Sequence, residues 1–407
     1  MLEDYKKVAI YMEGHLFTDY GKMGLGILRY LPNRIVAVID SKNDGKNTKE
    51  CLSIERNVPI VSNLDMAISK GAEVLILGIA PSGGKIPKSW FLIIDKAISK
   101  NLSIINGLHD SLSLKYKNKL TDNQWIWDVR IPQFIPEIAS GKAAKLNNKR
   151  ILCVGTDMAV GKMTTSLEIH KWAMEKKIKS SFIATGQIGI TVTGNGIPLD
   201  AYKVDHACGA VEKMVLEKSN DDWVFIEGQG SLLNPGSTAS LPLIRGSCTT
   251  HMILCHRADF LALRDYKHII IPDLNEVIKL YESLASACGI YPKAKVVGIS
   301  LNTFKLDSIS AKKAVDFLEK LNVPCYKISS FENVHLPLIK KVAQTGKPVI
   351  VSTGLASKIE IEEAVEALKI GGCNQFALLK CTSSEQWSQM LTRLGRSSLL
   401  IAILALR

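Results

Sequence analysis

The sequence has little of what marks an extracellular or membrane protein. Its nine cysteines, spread from Cys51 to Cys381, form no CxxC pair, which is typical of reduced thiols rather than of a disulfide framework. The opening residues, MLEDYKKVAIYMEG, contain acids and no long apolar run, so we expect no signal peptide. The apolar stretch Leu399–Leu406 is too short to span a bilayer. We therefore expect a cytoplasmic protein with no membrane partner.

The chain also lacks a segment that interleaves dense basic residues with aromatics. Its net charge is +12, from 51 Lys+Arg against 39 Asp+Glu, but the lysines are scattered. This argues against nucleic acid as a partner and favours anionic small molecules. With 407 residues, 46% of them hydrophobic, the chain can form two or three domains with buried cores. We expect a homo-oligomer.

Residues 1–130 are predicted to form a Rossmann-like domain. Short apolar runs at 8–12, 34–40, 73–80 and 102–108 alternate with helical lengths, which is typical of a parallel sheet covered on both faces. Glycines lie between the first two runs, but their spacing is not a clean dinucleotide fingerprint, so NAD is only weakly indicated. Residues 131–149, with two prolines and poor periodicity, are predicted to be a linker.

The strongest motif is a phosphate-binding loop between an apolar strand, ILCVG, and a helical stretch, SLEIHKWAMEKK. Glycines allow backbone N–H groups to turn toward an anion, the helix start adds its positive dipole end, and a lysine adds a charge. Five residues separate the glycines, one more than is common. The predicted cofactor-binding residues are Gly155, Thr156, Asp157, Val160, Gly161, Lys162, Met163, Thr164 and Thr165. The ligand is a nucleotide or coenzyme A.

One departure puts metal-assisted phosphoryl transfer in doubt. Met163 follows Lys162, where a Ser or Thr hydroxyl normally binds Mg²⁺. Thr164 or Thr165 could substitute, so Mg²⁺ stays open. A grouping of Cys248, His251, Cys255 and His256 lacks the close Cys-pair spacing of structural zinc sites, and we predict no metal there.

Further polar residues follow predicted strands of this domain, which we place at 150–310. Glu227 ends the run WVFI and could hold Mg²⁺ through water or act as a base. The loop with Thr185, Gly186 and Gln187 is predicted to face the substrate. Asn302 ends the last strand and faces a base or caps the next helix.

Several motifs in order resemble the P-loop family that includes D-glutamate N-acetyltransferase. They are GTDMAVGKMTT, ATGQIGI, GNGIPLDA, FIEGQGSLLNPG, ILCHRAD and VVGISLN, and the first is also similar to dethiobiotin synthetase. The resemblance, over residues 1 to about 310, implies acetyl transfer from acetyl-CoA to the amine of a D-amino acid. On this reading the loop around Lys162 binds coenzyme phosphates, and Glu227 or His206 deprotonates the attacking ammonium.

From about residue 311 the sequence resembles a different family, the sialic acid synthases. The motifs YKISSFE, TGKPVIVSTG and LLKCTSS correspond to three strand–helix units of a TIM barrel, at 311–384. The resemblance implies that Lys327, Ser330 and Ser352 match phosphoenolpyruvate-binding positions and that Glu332 matches an acid near the sugar. A closed barrel needs about 250 residues, so we expect an incomplete piece without synthase activity, followed by a divergent tail at 385–407.

The sequence thus predicts an α/β protein with a Rossmann-like domain, a P-loop NTPase-like parallel-sheet domain and incomplete TIM-barrel-like units. The expected function is an acetyl-CoA- or ATP-dependent enzyme, an N-acyltransferase acting on an amino acid such as D-glutamate. Two alternatives stay open. One is a synthase-related fusion that is inactive as a synthase, and the other is a non-catalytic nucleotide-binding module.

Overall fold

The protein is represented by a computed structural model, in which the chain divides into two units. The described residues are 2–4, 6–52, 54, 56–237, 239–302, 326–328, 334–353 and 356–379. The first unit contains the residues up to Phe134 together with Gly186–Tyr202, and the second contains Ile135–Thr185 and the described residues from Lys203 onward. From the sequence we predicted neither that residues 186–202 belong to the first unit nor that the division between the units falls after residue 134.

The first unit is built on a six-stranded, all-parallel sheet in the order β3-β2-β1-β4-β5-β6. The strands are β1 (Val8–Tyr11), β2 (Ile35–Ile39), β3 (Ile60–Val61), β4 (Val74–Leu77), β5 (Ser103–Asn106) and β6 (Ile126–Asp128). The helices are α1 (Lys22–Tyr30), α2 (Thr48–Leu52), α3 (Leu64–Ser69), α4 (Phe91–Ser99) and α5 (Leu112–Tyr116). This is the strand order of a doubly wound dinucleotide-binding sheet, which confirms the Rossmann-like prediction.

The second unit is built on an eight-stranded, all-parallel sheet in the order β14-β13-β12-β11-β10-β7-β9-β8. The strands are β7 (Lys149–Gly155), β8 (Ser180–Ile183), β9 (Trp223–Ile226), β10 (His251–Arg257), β11 (Lys295–Asn302), β12 (Tyr326–Ile328), β13 (Val349–Ser352) and β14 (Phe376–Leu379). Strand order reverses between β7 and β10, which makes their carboxyl ends the expected ligand crevice.

Six helices accompany this sheet among the residues that the structure describes, and a seventh lies in the excursion to the first unit. The six are α6 (Lys162–Glu175), α8 (Val204–Glu217), α9 (Ser240–Ser247), α10 (Leu274–Ser286), α11 (Leu336–Ala343) and α12 (Lys358–Ile370), and the excursion carries α7 (Gln187–Thr193). α6 follows β7 through the predicted phosphate loop. Its side chains Ile169 and Trp172 share one core with residues of β7, β9 and β14, so α6 packs against strands from both halves of the sheet.

The C-terminal strand–helix units do not stand alone as a barrel fragment. β12 pairs with β11 in parallel, with Tyr326 opposite Ile299 and Lys327 opposite Ser300. β13 and β14 then continue the same sheet, and Ala377 of β14 packs in the core around α6. A fragment of a barrel standing alone would leave a strand edge unpaired and an apolar face exposed. Pairing with β11 satisfies one edge of this segment, and Ile350 and Ala377 pack in the core around α6.

Candidate anion-binding site

The phosphate loop lies at the reversal point of the second sheet. β7 ends at Gly155 and α6 begins at Lys162. Gly161 precedes the helix with a φ of 109°, a left-handed backbone that glycine adopts without strain. This turn directs the first N–H groups of α6, which have no partners within the helix, to the carboxyl end of β7. The loop therefore has the form that binds phosphate at a helix N-terminus.

Lys162 lies in a narrow groove that exists because two neighbouring residues are glycines. A Cβ atom at Gly155 would lie 3.2 Å from Nζ of Lys162, and one at Gly228 would lie 3.0 Å from its Cδ. The Lys162 ammonium donates a hydrogen bond of 2.7 Å to the carbonyl oxygen of Asp157. Burial lowers the pKa of Lys162 to about 8, against a smaller upward effect of nearby groups that include Asp157 and Glu227. A bound anion would offset the energetic cost of burying the positive charge of Lys162.

The carboxylate of Asp157 fastens the phosphate loop to two other segments. Its Oδ1 accepts hydrogen bonds of 2.7 Å from the N–H of Met158 and from Nδ2 of Asn234. Its Oδ2 accepts one of 2.7 Å from the N–H of Arg264. Asp157 is thus a buried carboxylate satisfied by three N–H donors, and it fixes the shape of the loop before any ligand binds.

Tyr281 of α10 fixes the other end of the loop. Its hydroxyl donates to the carbonyl oxygen of Gly155 at 2.8 Å and accepts from the N–H of Leu232 at 3.2 Å. Burial raises the pKa of Tyr281, so the hydroxyl keeps its proton for this bond. The segment 231–234 is therefore joined to the loop at two points: Leu232 through Tyr281, and Asn234 directly through Asp157.

The hydroxyl that usually holds Mg²⁺ is missing from this loop. Met163 occupies the position after Lys162, and the next residues are Thr164 and Thr165. The hydroxyl groups of Thr165 and Ser300 on β11 form a hydrogen bond of 2.8 Å. The Thr165 hydroxyl therefore links α6 to the sheet. Thr164 is half-buried. Among the described residues, no group of three or more His, Cys, Asp or Glu side chains is arranged to hold a metal ion.

Glu227 lies at the carboxyl end of β9, as the sequence indicated. It is buried, and its Oε2 accepts a hydrogen bond of 2.8 Å from the N–H of Thr185, whose hydroxyl donates to the Glu227 carbonyl oxygen at 2.8 Å. Gln229 donates from Nε2 to Oε1 at 3.3 Å. The carboxylate is therefore held in a fixed position next to Gly228, the residue that lines the Lys162 groove.

The structure places three other predicted residues away from the loop's hydrogen-bond network. His206 lies in the first turn of α8, with Nδ1 3.0 Å from the carbonyl oxygen of Pro136. Gln187 begins α7 in the first unit, where its Oε1 accepts from Arg130, and Gly186 is the residue before that helix. The side chains of His206 and Gln187 therefore each contact a protein group close by, Pro136 and Arg130 respectively.

The remaining predicted residues lie on strands or outside the described residues. Asn302 ends β11, where its carbonyl oxygen accepts from the N–H of Ala258 at 3.0 Å. Lys327 lies on β12 and Ser352 ends β13. Ser330 and Glu332 lie outside the described residues, so the proposed phosphoenolpyruvate positions stay predictions.

Sequence reasoning missed four residues that shape this site: Asn234, Tyr281, Gly228 and His256. Asn234 and Gly228 lie within the quoted motif FIEGQGSLLNPG, but their roles depend on contacts with a strand and a loop far away in sequence. Tyr281 carries no local signal. The sequence named His256 only within the grouping of cysteines and histidines for which no metal was predicted.

The corresponding end of the first sheet is filled by protein. Here the strand order reverses between β1 and β4. The N–H of Gly24, in the first turn of α1, donates to the carbonyl oxygen of Gly78 at 2.7 Å. A Cβ at Gly24 would overlap Met12, and one at Gly107 would lie 2.5 Å from Sδ of Met23. Both methionines are fully buried, and they pack against the glycines at this end of the sheet.

No helix in the described part of the chain combines the length and apolar character needed to cross a membrane.

The two sheets and the glycine–lysine loop define a P-loop protein with a Rossmann-like first domain. The chain belongs to the DUF1611 family, whose models match a Rossmann-like domain at residues 41–132 and a P-loop domain at 137–336, both domains of unknown function. A crystal structure of a DUF1611 family protein from Anabaena variabilis is 45% identical, with a TM-score of 0.76, and the match covers 79% of this chain and 95% of that one. The D-glutamate N-acetyltransferase of a Pseudoalteromonas species is 37% identical over 271 residues, which are 64% of this chain and 78% of that protein.

The C-terminal part matches a second family. The NeuB family model covers residues 290–386 and so overlaps the end of the P-loop model. The pseudaminic acid synthase of Helicobacter pylori is 33% identical over 112 residues, 28% of this chain and 33% of that protein. The match confirms a NeuB-like segment and spans about a third of that synthase.

Proposed function

We propose that this chain is an N-acetyltransferase that binds acetyl-CoA through its phosphate loop and acetylates the amino group of an amino acid such as D-glutamate. The observation that carries the proposal is a complete phosphate loop without its metal-binding hydroxyl. Met163 replaces that hydroxyl, and Thr165 is engaged by Ser300. The phosphates of coenzyme A can be bound by amides and a lysine without Mg²⁺, whereas efficient transfer from a nucleoside triphosphate relies on the metal. The name of the Pseudoalteromonas relative supports the same activity.

The residues present fit this ligand. Lys162 is a buried cation whose hydrogen bond goes to a backbone carbonyl, and an anion within reach of α6's first N–H groups would stabilise both. Bound acetyl-CoA supplies an activated acyl group. Glu227, held by Thr185 and Gln229, takes a proton from the acceptor's ammonium group, because only the free amine has the lone pair needed for attack.

Calorimetry with a panel of ligands tests the choice of coenzyme. Coenzyme A and acetyl-CoA without metal, and ATP with and without Mg²⁺, are titrated into the full chain. We expect coenzyme A to bind without metal, and ligand at a few hundred times Kd to stabilise the fold by roughly 3–4 kcal/mol. Lys162→Ala should abolish binding, while Lys279→Ala, at an exposed lysine paired with Glu276, should not. Binding of ATP–Mg²⁺ alone would contradict the proposal and favour the nucleotide-binding alternative.

Release of free thiol from acetyl-CoA then tests the reaction. We expect release that depends on an added amino acid, with D-glutamate compared against L-glutamate and against no acceptor. Glu227→Gln should lower kcat by about 100-fold or more with coenzyme A binding retained. Coenzyme A binding without transfer to any amino acid would contradict the acetyltransferase.

A further inference from the structure

A short hairpin follows β10 and reaches the phosphate loop. Residues 261–271 fold back on themselves, and an antiparallel bridge between Ala262 and Ile270 joins the two arms. We call this segment the 261–271 hairpin. Its turn has the sequence RDYKH, residues 264–268, and it contains two basic side chains and a histidine that the reaction above does not use.

The turn is attached to the phosphate loop through its backbone. The N–H of Arg264 donates a hydrogen bond of 2.7 Å to Oδ2 of Asp157, and Asp157 is the second loop residue after β7. Because the donor is a main-chain group, it holds residue 264 beside the loop whatever the side chain is. A ligand bound in the phosphate loop is therefore within the length of one arginine side chain.

The guanidinium of Arg264 has a partner that a ligand can replace. Its Nε and one Nη donate to the two carboxylate oxygens of Asp265 at 3.1 and 2.9 Å. The two side chains are 33% and 50% exposed, so water screens their attraction and the pair contributes little to stability. A phosphate group accepts the same pair of parallel hydrogen bonds from a guanidinium.

A diphosphate needs more positive charge than Lys162 provides. Each of the two linked phosphoryl groups of such a ligand carries negative charge, which Mg²⁺ offsets in ordinary phosphate-loop enzymes. Here Met163 stands in place of the hydroxyl that would hold the metal. The N–H groups at the start of α6 supply only partial charges. We therefore expect a second cation from the protein next to the loop.

We infer that Arg264 is this second cation: when a ligand binds, the guanidinium leaves Asp265 and donates two hydrogen bonds to the ligand's diphosphate, beside the phosphoryl group that Lys162 binds. The inference rests on the ligand binding of the proposed function and names a further binding residue for it. The ligand class is an organic diphosphate, which coenzyme A and ADP both contain. Asp265 competes with the ligand for the guanidinium.

Calorimetry of the full chain with inorganic pyrophosphate and inorganic phosphate tests the assignment without a coenzyme. We expect wild type to bind pyrophosphate at least tenfold more tightly than phosphate. Arg264→Ala should remove most of that preference, because charge-assisted hydrogen bonds contribute about ten- to a hundredfold in affinity. Lys267→Ala removes the same charge from an exposed side chain of the same turn, and it should change pyrophosphate affinity less than threefold. Equal losses in the two variants, or no preference in wild type, would overturn the inference.

Asp265→Asn should act in the opposite direction. Loss of the competing carboxylate leaves the guanidinium available to the ligand, so pyrophosphate affinity should rise about two- to fivefold. An ion pair with a purely structural role would instead give losses in both single variants. The gain should vanish in the double variant Arg264→Ala/Asp265→Asn. A gain that persists there would reflect general charge and would overturn the inference.

Stability controls separate binding from folding. Arg264→Ala keeps the main-chain bond to Asp157, so its urea unfolding midpoint should match that of wild type. Arg264→Lys keeps the charge without the paired donors, and it should bind pyrophosphate with an affinity between those of wild type and Arg264→Ala. A lysine variant as weak as the folded alanine variant would overturn the inference.

Coenzyme A, 3′-dephospho-coenzyme A and ADP then distinguish the sources of the diphosphate. Arg264→Ala should weaken coenzyme A and its dephospho form by the same factor, about tenfold or more. A loss confined to coenzyme A would place Arg264 at the 3′-phosphate and overturn the inference. If ADP binds and coenzyme A does not, the proposed acetyltransferase fails, while a tenfold loss of ADP affinity in Arg264→Ala would still support the diphosphate contact.

Discussion

The two sheets of this protein share a plan but differ at the place where such sheets bind ligands. In the second unit, the loop after β7 is lined by glycines and a buried lysine, and its backbone N–H groups open toward the crevice. In the first unit, the N–H of Gly24 is already satisfied by the carbonyl oxygen of Gly78, and the buried side chain of Met12 packs against Gly24. Strand order reverses in both sheets, but the residues at the reversal point differ: glycines and a buried lysine in the second sheet, and buried methionines packed on glycines in the first. The following predictions, from the largest expected effect to the smallest, test that contrast.

Gly228→Ala should be the most damaging single substitution at the phosphate loop. Its Cβ would overlap the carbonyl oxygen of Cys153 and crowd Lys162, and a backbone atom cannot move aside as a flexible side chain can. We expect a loss of about 3 kcal/mol of unfolding free energy together with loss of coenzyme A binding, measured by urea unfolding and calorimetry. Normal stability and binding would show that the groove around Lys162 is not needed.

Lys162→Met should abolish ligand binding and yet stabilise the ligand-free protein. Burial holds the pKa of Lys162 at about 8, so below pH 8 the fold contains an ammonium that is better solvated in the unfolded chain. An apolar side chain of similar length should raise the unfolding free energy by on the order of 2 kcal/mol at pH 7.

The advantage of Lys162→Met should depend on pH with a defined sign. Between pH 8 and 10.5 the unfolded lysine still binds its proton and the folded one does not, so wild-type stability should rise relative to the variant. Urea unfolding at pH 7, 9 and 10.5 measures this, and an advantage that grows with pH would contradict it.

Asp157→Asn should loosen the loop with an intermediate effect. An amide in place of the carboxylate turns one acceptor into a donor that faces the N–H groups of Asn234 or Arg264. We expect a loss of about 1–3 kcal/mol of unfolding free energy and faster hydrogen exchange at the N–H of Arg264. Unchanged exchange there would show that the carboxylate does not hold the two segments together.

Gly24→Ala in the first unit should have the smallest effect. The three atoms nearest to its Cβ all belong to the side chain of Met12, which can change rotamer, and alanine favours the helix by up to about 1 kcal/mol. The net change should stay within about 1 kcal/mol, with coenzyme A affinity unaltered, by the same urea and calorimetry measurements. Loss of coenzyme A affinity would show that the methionine-filled end takes part in ligand binding.

Much of the fold was predictable because long buried strands carry a strong local signal. The runs around β1, β2, β4 and β5 are apolar throughout, and the confirmed parallel sheets follow from their alternation with helices. β3 and β6 were missed because strands of two and three residues are too short for any periodicity. That the C-terminal strands join the P-loop sheet could not be predicted, since edge pairing depends on backbone geometry and not on composition.

The candidate site was predictable in part. The glycines and Lys162 were found because their spacing and flanking elements reflect the backbone shape that phosphate requires. Tyr281 and Asn234 were not, because a single hydroxyl or amide that reaches across the fold leaves no pattern in the chain. His256 lies between these cases: it is part of the quoted motif ILCHRAD, but its pairing with Thr156 depends on β10 being the neighbour of β7.

The pairing of β12 with β11 has a consequence for how proteins of this architecture can grow. An open parallel sheet presents free N–H and C=O groups at its outermost strand, and any further strand–helix unit that runs in the same direction can be added there. Such an addition buries new surface without rebuilding the existing core. A stretch that would be too short to close a barrel can thus be stable as the outer rim of a sheet that is already formed.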